Sequence, residues 1–432
     1  MYAFTMKAVV VLALLPLLVA CSGASNVTPV VGGSQAHSNG AATNTSRRST
    51  SNVQHVVIIE MENRSFDNYF GKYPGVNGIP KNVNCNPDKD TGQCVYPYHD
   101  HLLRNYGGPH GSEAFGVDLD NGKLDGFIEA VEQLPKSGDP NPDEVMGYHT
   151  CNEIPVYCNY AAQYTIADNN FAASISWSTM AHLYLVSGWS AICSIPGDQF
   201  SCVSSNEVDW HRPNYAWTDI TFLLHKHNVT WGYFASPHGI LQPYDQDDGP
   251  GGNEFGVGQW NPLPGFKDVI VDGQRGNIQT DDAFIADATA GLLPSVSWVT
   301  PPFNSSDHPA ANIDNGQTWV KKQIDAVMQG PDWSSTVILL TWDEWGGFYD
   351  HVVPPVIDGQ GYGFRTPLII IGSMVKTGYV DHQLLSSDAY LKLIEDEFLG
   401  GERIDNNDGR PDPRPDVREN TPGLGDIRDD FQ

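Results

Sequence analysis

Basic residues are scarce in this chain. Lys and Arg number 24 against 52 Asp and Glu in 432 residues, a formal net charge of −28. A protein that wraps nucleic acid needs a basic footprint for the phosphates, so that class is excluded. A metal ion or a single phosphate group in a local pocket is not. Beyond residue 20 no apolar run is long enough to form a transmembrane helix. No CxxC pair is present, which argues against a Cys-rich metal site. There is no HExxH for zincin-type proteolysis, and no GxSxG elbow of the lipase and esterase kind. The acidic loops at 245–249 and 405–409 place Gly one position too early for an EF-hand. What is there suits a large soluble core. Hydrophobic residues make up 40% and aromatics 11%, while charged residues reach only 18%, so this is not a disordered acidic tail. With 43 Gly and 30 Pro the chain is rich in loops.

The first residues read as a processing signal. Lys7 precedes an apolar run at 8–20, too short for a stable membrane span and typical of a signal h-region. It ends Leu18-Val19-Ala20-Cys21, which resembles the lipobox of bacterial lipoproteins and would make Cys21 the lipidated first residue and the membrane anchor. An ordinary secretory signal is the alternative, and either exports the chain. Residues 21–52, rich in Ser, Asn, Thr and Gly, read as a flexible tether, and 53–432 as one folded domain. The remaining cysteines, Cys85, Cys94, Cys151, Cys158, Cys193 and Cys202, fall as three local pairs in an exported chain, where disulfides persist. Fifteen connectivities can be drawn, of which nearest-neighbour pairing is the most economical.

Continuous apolar runs rich in β-branched residues mark strands buried on both faces. The clearest are His55-Val56-Val57-Ile58-Ile59, Thr336-Val337-Ile338-Leu339-Leu340-Thr341 and Pro367-Leu368-Ile369-Ile370-Ile371-Gly372, with weaker ones at 230–235 and 295–300. Helical stretches at 217–227, 281–290, 316–328 and 388–398 alternate with them. This predicts an α/β fold, doubly wound, with a mainly parallel sheet and helices on both faces. The Gly/Pro-rich segments near 72–150 and 237–277 read as surface insertions.

Open α/β sheets bind ligands beyond the carboxyl ends of their strands. The first strand runs out at Glu62 and Asn63, the second at Asp343 and Glu344. Past the weaker strands lie His238 and His308. The carboxylate and amide oxygens suit a hard divalent cation, able to polarise a phosphoryl oxygen and lower the pKa of a nucleophilic hydroxyl. Solvated acidic turns are the bland reading of the same residues. The hydroxyl candidates are Ser178 and Thr179, which precede an apolar helical stretch where either could cap the helix or face an anion. His238 and His308 hold loop positions suited to contacting a phosphoryl group or protonating a leaving oxygen. His351 reads as a residue standing behind the site.

At this point a family resemblance emerges. Glu62-Asn63-Arg64-Ser65-Phe66-Asp67-Asn68-Tyr69-Phe70-Gly71 closely resembles the opening signature of the bacterial phosphoesterase family that contains the non-haemolytic phospholipases C and certain acid phosphatases. Asp343-Glu344-Trp345-Gly346-Gly347-Phe348-Tyr349-Asp350-His351-Val352 resembles its second signature, and Glu395 to Gly401 followed by Asp408 to Asp416 its C-terminal pattern. That family is similar in fold to the alkaline phosphatase superfamily. The resemblance implies one divalent ion, calcium or another hard cation, on Glu62, Asn63, Asp343 and Glu344. It puts Ser178 at the nucleophile position with Thr179 as runner-up, since members use either residue there. It implies phosphate-side roles for His308 and, more weakly, His238. Met180 departs from the proline common in the family. The expected reaction is phosphoester hydrolysis, on phospholipid as a phospholipase C or on soluble monoesters as an acid phosphatase. A surface-binding lipoprotein that has lost its chemistry is the reading from another class.

Overall fold

The run His55-Val56-Val57-Ile58-Ile59 extends as a strand to Met61, and every residue after His55 is buried. In this computed structural model, which describes residues 52–134, 141–235, 258–405 and 412–432, that strand is β1 (His55–Met61). The other strands of its sheet are β2 (Thr165–Ala167), β3 (Trp231–Ala235), β4 (Ile278–Thr280), β5 (Val296–Thr300), β6 (Thr336–Trp342), β7 (Leu368–Ile371) and β8 (Tyr379–Asp381). Their order is β4-β3-β5-β1-β6-β7-β2-β8. β1 runs parallel to β5 and to β6, and the β4-β3 and β3-β5 pairs are parallel too. Only β7 turns against its neighbours, pairing antiparallel with β6 and β2.

Strand alternation sends Val56 and Ile58 to one face and Val57, Ile59 and Met61 to the other, and each set joins a separate core. The first core takes its helical residues from Ser178–Ser187, Ile220–Lys226 and Ser387–Phe398. The second takes them from Pro155–Gln163, Asp281–Ala290 and Ile313–Gln329. The sheet is thus covered on both sides, as the continuous apolar runs require. The three-residue strands β2, β4 and β8 were not anticipated, because three residues are too few to show a period. The 72–150 segment is more than surface loop. Its helices Ser112–Leu119 and Phe127–Gln133 support a third small core in which Phe127, Ile128 and Val131 meet Trp345, Tyr349 and Phe364.

The cysteines join as Cys85–Cys94, Cys151–Cys158 and Cys193–Cys202, the nearest-neighbour pairing. The signal run, Cys21 and all but the last residue of the tether lie outside the described residues. Among the described residues, no helix is long and apolar enough to cross a membrane.

One buried cation ties the two signature segments together. Arg365 gives Nε and Nη2 to the Asp350 carboxylate at 3.0 and 3.1 Å, and Nη2 also to Asp67 at 3.0 Å. Nη1 donates to the carbonyls of Asn77 and Asp168 at 2.8 and 2.7 Å. His351 Nδ1 lies 2.6 Å from Asp67 Oδ2, so this histidine serves the staple. Arg365→Met should cost about 3–5 kcal/mol in urea unfolding, because it strands two buried carboxylates. A loss below about 1 kcal/mol, the scale of an exposed ion pair, would show that the staple carries little of the fold.

Candidate active site

β1 and β6 stay in register to their last residues, Met61 opposite Trp342. The Asp343 amide then donates to Met61 O at 3.0 Å, so Glu62 and Asp343 leave the sheet side by side. The Glu62 amide donates to Ser306 O at 2.8 Å, which draws in the loop after β5. Asn63 turns the chain with φ of 56°, a conformation Asn tolerates better than most residues. Its amide donates to Asp343 Oδ1 at 2.8 Å. Gly346 follows with φ of 64°, and a Cβ there would sit 2.5 Å from Asn63 O. Only glycine fits this close approach. The Gly346 amide folds Glu344 back, donating to its Oε2 at 2.7 Å.

The helix Ser178–Ser187 meets these acids with one face. Ser178 is its first residue; the N-cap is Trp177, and no side chain caps the helix. The Ser178 hydroxyl therefore is not spent on a cap. It donates to Glu62 Oε2 at 3.0 Å and accepts from Asn63 Nδ2 at 3.4 Å. Thr179 Oγ1 is buried with no hydrogen-bond partner among the described residues. One turn on, His182 Nε2 lies 2.9 Å from Glu62 Oε1, and Nδ1 lies 2.7 Å from Glu60 Oε2. The two periods explain this match: residues two apart share a strand face, and residues four apart share a helix face. Met180, in place of proline, donates its amide to Trp177 O at 3.0 Å within the first helical turn.

His308 arrives on the loop after β5 and is almost wholly buried against Phe303 and Trp260. The residue before it is clamped: Asp307 Oδ2 accepts from Tyr157 at 2.8 Å, Tyr69 at 3.0 Å and Trp342 Nε1 at 3.3 Å. Arg64 donates twice to Asp307 O, at 2.8 and 3.1 Å. His110 Nε2 stands 3.7 Å from Glu344 Oε1, with Nδ1 2.8 Å from Gly108 O. Burial, reinforced by His110, pushes the His308 pKa down to about 3, so its ring is neutral near pH 7. His238 lies outside the described residues.

The electrostatics point to a cation. Burial, then the charge of Asp343, raises both Glu62 and Glu344 well above the ordinary carboxylate range. Asp343 is raised too, first by burial. Burial opposes charge on His182, but Glu60 and Glu62 on either side prevail and push its pKa well up. Three buried carboxylates thus crowd one hydroxyl with too little positive charge to balance them. Asn63 Oδ1 and Asp343 Oδ2 have no hydrogen-bond partner among the described residues. One ligand atom each of Glu62, His182 and Asp343 lies within 4.8 Å of the others. Both nitrogens of His182 already face carboxylates, which leaves the oxygens of Glu62, Asn63, Asp343 and Glu344. An all-oxygen anionic set fits a hard divalent ion.

The structure therefore brings Glu62, Asn63, Asp343, Glu344 and Ser178 together, and carries His308 to their edge beside His110. Sequence reading missed Glu60, His182 and His110. The Glu60/Glu62 alternation and the Ser178/His182 spacing hold a signal for the first two. His110, in a Gly-rich segment, has none.

The family model described as Phosphoesterase family matches residues 53–399. Phospholipase C B of Mycobacterium tuberculosis (strain CDC 1551 / Oshkosh) is 24% identical over 408 residues, covering 80% of this chain and 73% of that protein. A non-hemolytic phospholipase C of Pseudomonas aeruginosa is 26% identical over 396 residues, covering 80% of this chain and 54% of that relative. Among solved structures, a protein in the alkaline phosphatase superfamily from Vibrio parahaemolyticus shares 11% identity with a TM-score of 0.35, covering 76% of this chain and 72% of that one.

Proposed function

The chain belongs to the Phosphoesterase family, and on that premise we propose a phospholipase C-type hydrolase in which Ser178 is the nucleophile. The observation that carries this reading is the Ser178 hydroxyl, free of any capping role and 3.0 Å from Glu62 within a ring of buried acids. Ser178 Oγ attacks phosphorus and passes its proton to Glu62, while His182 holds that carboxylate in place. The P–O bond to the leaving alkoxide breaks as the P–Oγ bond forms, and the alkoxide takes its proton from water at the edge of the site lined by the neutral His308 and by His110. Water then hydrolyses the phosphoserine ester and frees Ser178. Glu62, Asn63, Asp343 and Glu344 would hold a divalent ion, calcium or another hard cation, which would supply charge neutralisation and Lewis acidity. Thr179 Oγ1 makes no hydrogen bond among the described residues and is the weaker candidate. His238 retains a phosphate-side role in this proposal on the family resemblance alone.

Export by the leader at 1–20, with lipid anchoring at Cys21 and a tether to residue 52, belongs to the same proposal. Three disulfides support an oxidising compartment. The phospholipid reading is favoured by the two relatives, both phospholipases C by name. Phosphatidylcholine vesicles and a soluble aryl phosphate, each with and without chelator, separate the two substrates. Chelator-sensitive release of phosphocholine is expected. Release of phosphate from the aryl ester, with vesicles untouched, would favour an acid phosphatase.

A further inference from the structure

A second cluster of ligand-bearing side chains lies outside the active site. His99 Nε2 is 2.9 Å from Glu153 Oε2, and His101 Nδ1 is 3.1 Å from Glu153 Oε1. We propose that His99, His101 and Glu153 form a second metal site, selective for a borderline ion such as Zn²⁺.

The chain prepares these ligands. His99 ends the short strand Tyr98–His99, which pairs parallel with Gly147–Tyr148. The Asp100 amide donates to Tyr148 O at 2.9 Å, so the segment between the two histidines is pinned. Asp100 itself is spent elsewhere, accepting from Leu102 N at 2.8 Å and Asn105 Nδ2 at 2.6 Å. Glu153 is buttressed: the Thr150 amide and hydroxyl each donate to its Oε2 at 2.9 Å. The Cys151–Cys158 disulfide ties this turn to the helix Pro155–Gln163.

The two imidazole rings have centroids only 3.9 Å apart. A metal ion binds imidazole in its neutral form and carboxylate in its anionic form, so it can take one nitrogen from each ring and one Glu153 oxygen without the repulsion that two imidazolium charges would meet there. Zinc bonds of about 2.0–2.1 Å in a tetrahedron put neighbouring donor atoms about 3.3 Å apart. One ligand atom from each of the three residues already lies within 4.8 Å of the other two, so side-chain adjustment has only to close the set around the ion. His101, with its side chain 70% exposed, is free to yield. Two imidazoles and one carboxylate favour zinc-like ions, whereas the all-oxygen active site favours hard ones. The three-ligand set leaves one position for water or an added ligand. His99 and Thr150 also line a cavity of about 390 Å³ that gives it room.

The test is a Zn²⁺ titration of the full chain, freed of metal and carrying no polyhistidine tag, by calorimetry. Wild type should bind one more Zn²⁺ equivalent than either His101→Ala or His99→Gln. Any residual binding at this site should be weaker by about tenfold or more. Both variants should keep phosphoester turnover and the wild-type urea midpoint. Unchanged Zn²⁺ stoichiometry and affinity in both variants would overturn the proposal. So would loss of the same Zn²⁺ equivalent in Glu344→Gln, which would place that ion at the active site.

Discussion

Ser178→Ala should lower turnover by roughly four to six orders of magnitude, the scale seen when a covalent nucleophile is removed. The fold should not suffer. Ser178 makes no cap bond in its helix, and Ala is the stronger helix former. The urea midpoint should therefore stay at or above that of wild type, so a loss of activity reports on chemistry alone. Thr179→Ala provides the contrast. Its hydroxyl has no hydrogen-bond partner among the described residues, so turnover should stay within about tenfold of wild type, an effect of at most about 1.4 kcal/mol. A reversed pattern, with the Thr179 variant dead and the Ser178 variant active, would move the nucleophile by one residue.

The second large effect concerns the acids. Glu62, Asp343 and Glu344 all have folded-state pKa values raised above the ordinary carboxylate range, by burial first. A raised carboxylate binds more protons in the folded state than in the unfolded one, so its contribution to stability falls as pH rises. For these three groups that loss begins at the ordinary carboxylate pKa and continues up through the folded values. A chelator-treated chain should thus lose part of its stability as the pH rises from 5 to 7. A hard divalent ion at about one hundred times its Kd should return about 2.7 kcal/mol at pH 7. Glu344→Gln removes one crowding charge. In chelator it should be more stable than wild type at pH 7, yet gain less from added ion and turn over at least about a thousandfold more slowly. Thermal unfolding at the two pH values, with and without Ca²⁺ or Mn²⁺, measures each part. If Glu344→Gln is less stable than wild type in chelator, these acids are not crowded and the cation argument fails.

How much of this was legible in the sequence follows from the range of each interaction. β1 and β6 stood out because a strand buried on both faces must be apolar at every position, and a seven-residue run shows that without help. Since both strands end in acids, the place of Glu62 and Asp343 followed from the rule for open sheets. The disulfides were readable because each closes a short local loop. The wedge of His182 between Glu60 and Glu62 was not, although both spacings were in plain view. It requires knowing that the helix Ser178–Ser187 packs its N-terminal face on the end of β1, a contact across more than one hundred residues. The partners of His351 were hidden for a similar reason. It lies within the second signature, and Asp67 and Arg365, distant in sequence, draw it into the staple. His110 depends on how a Gly-rich segment threads back to Glu344, and no local pattern encodes that path.

The central claim is a covalent intermediate on Ser178, and acid-quenched peptide mass spectrometry tests it most directly. The chain would be mixed with phosphatidylcholine vesicles or an aryl phosphate in the presence of divalent ion, stopped in acid during turnover, and digested. A phosphocholine or phosphoryl adduct is expected on Ser178, absent from Ser178→Ala. An adduct on Thr179, or active turnover with no adduct on this peptide under single-turnover conditions, would contradict it.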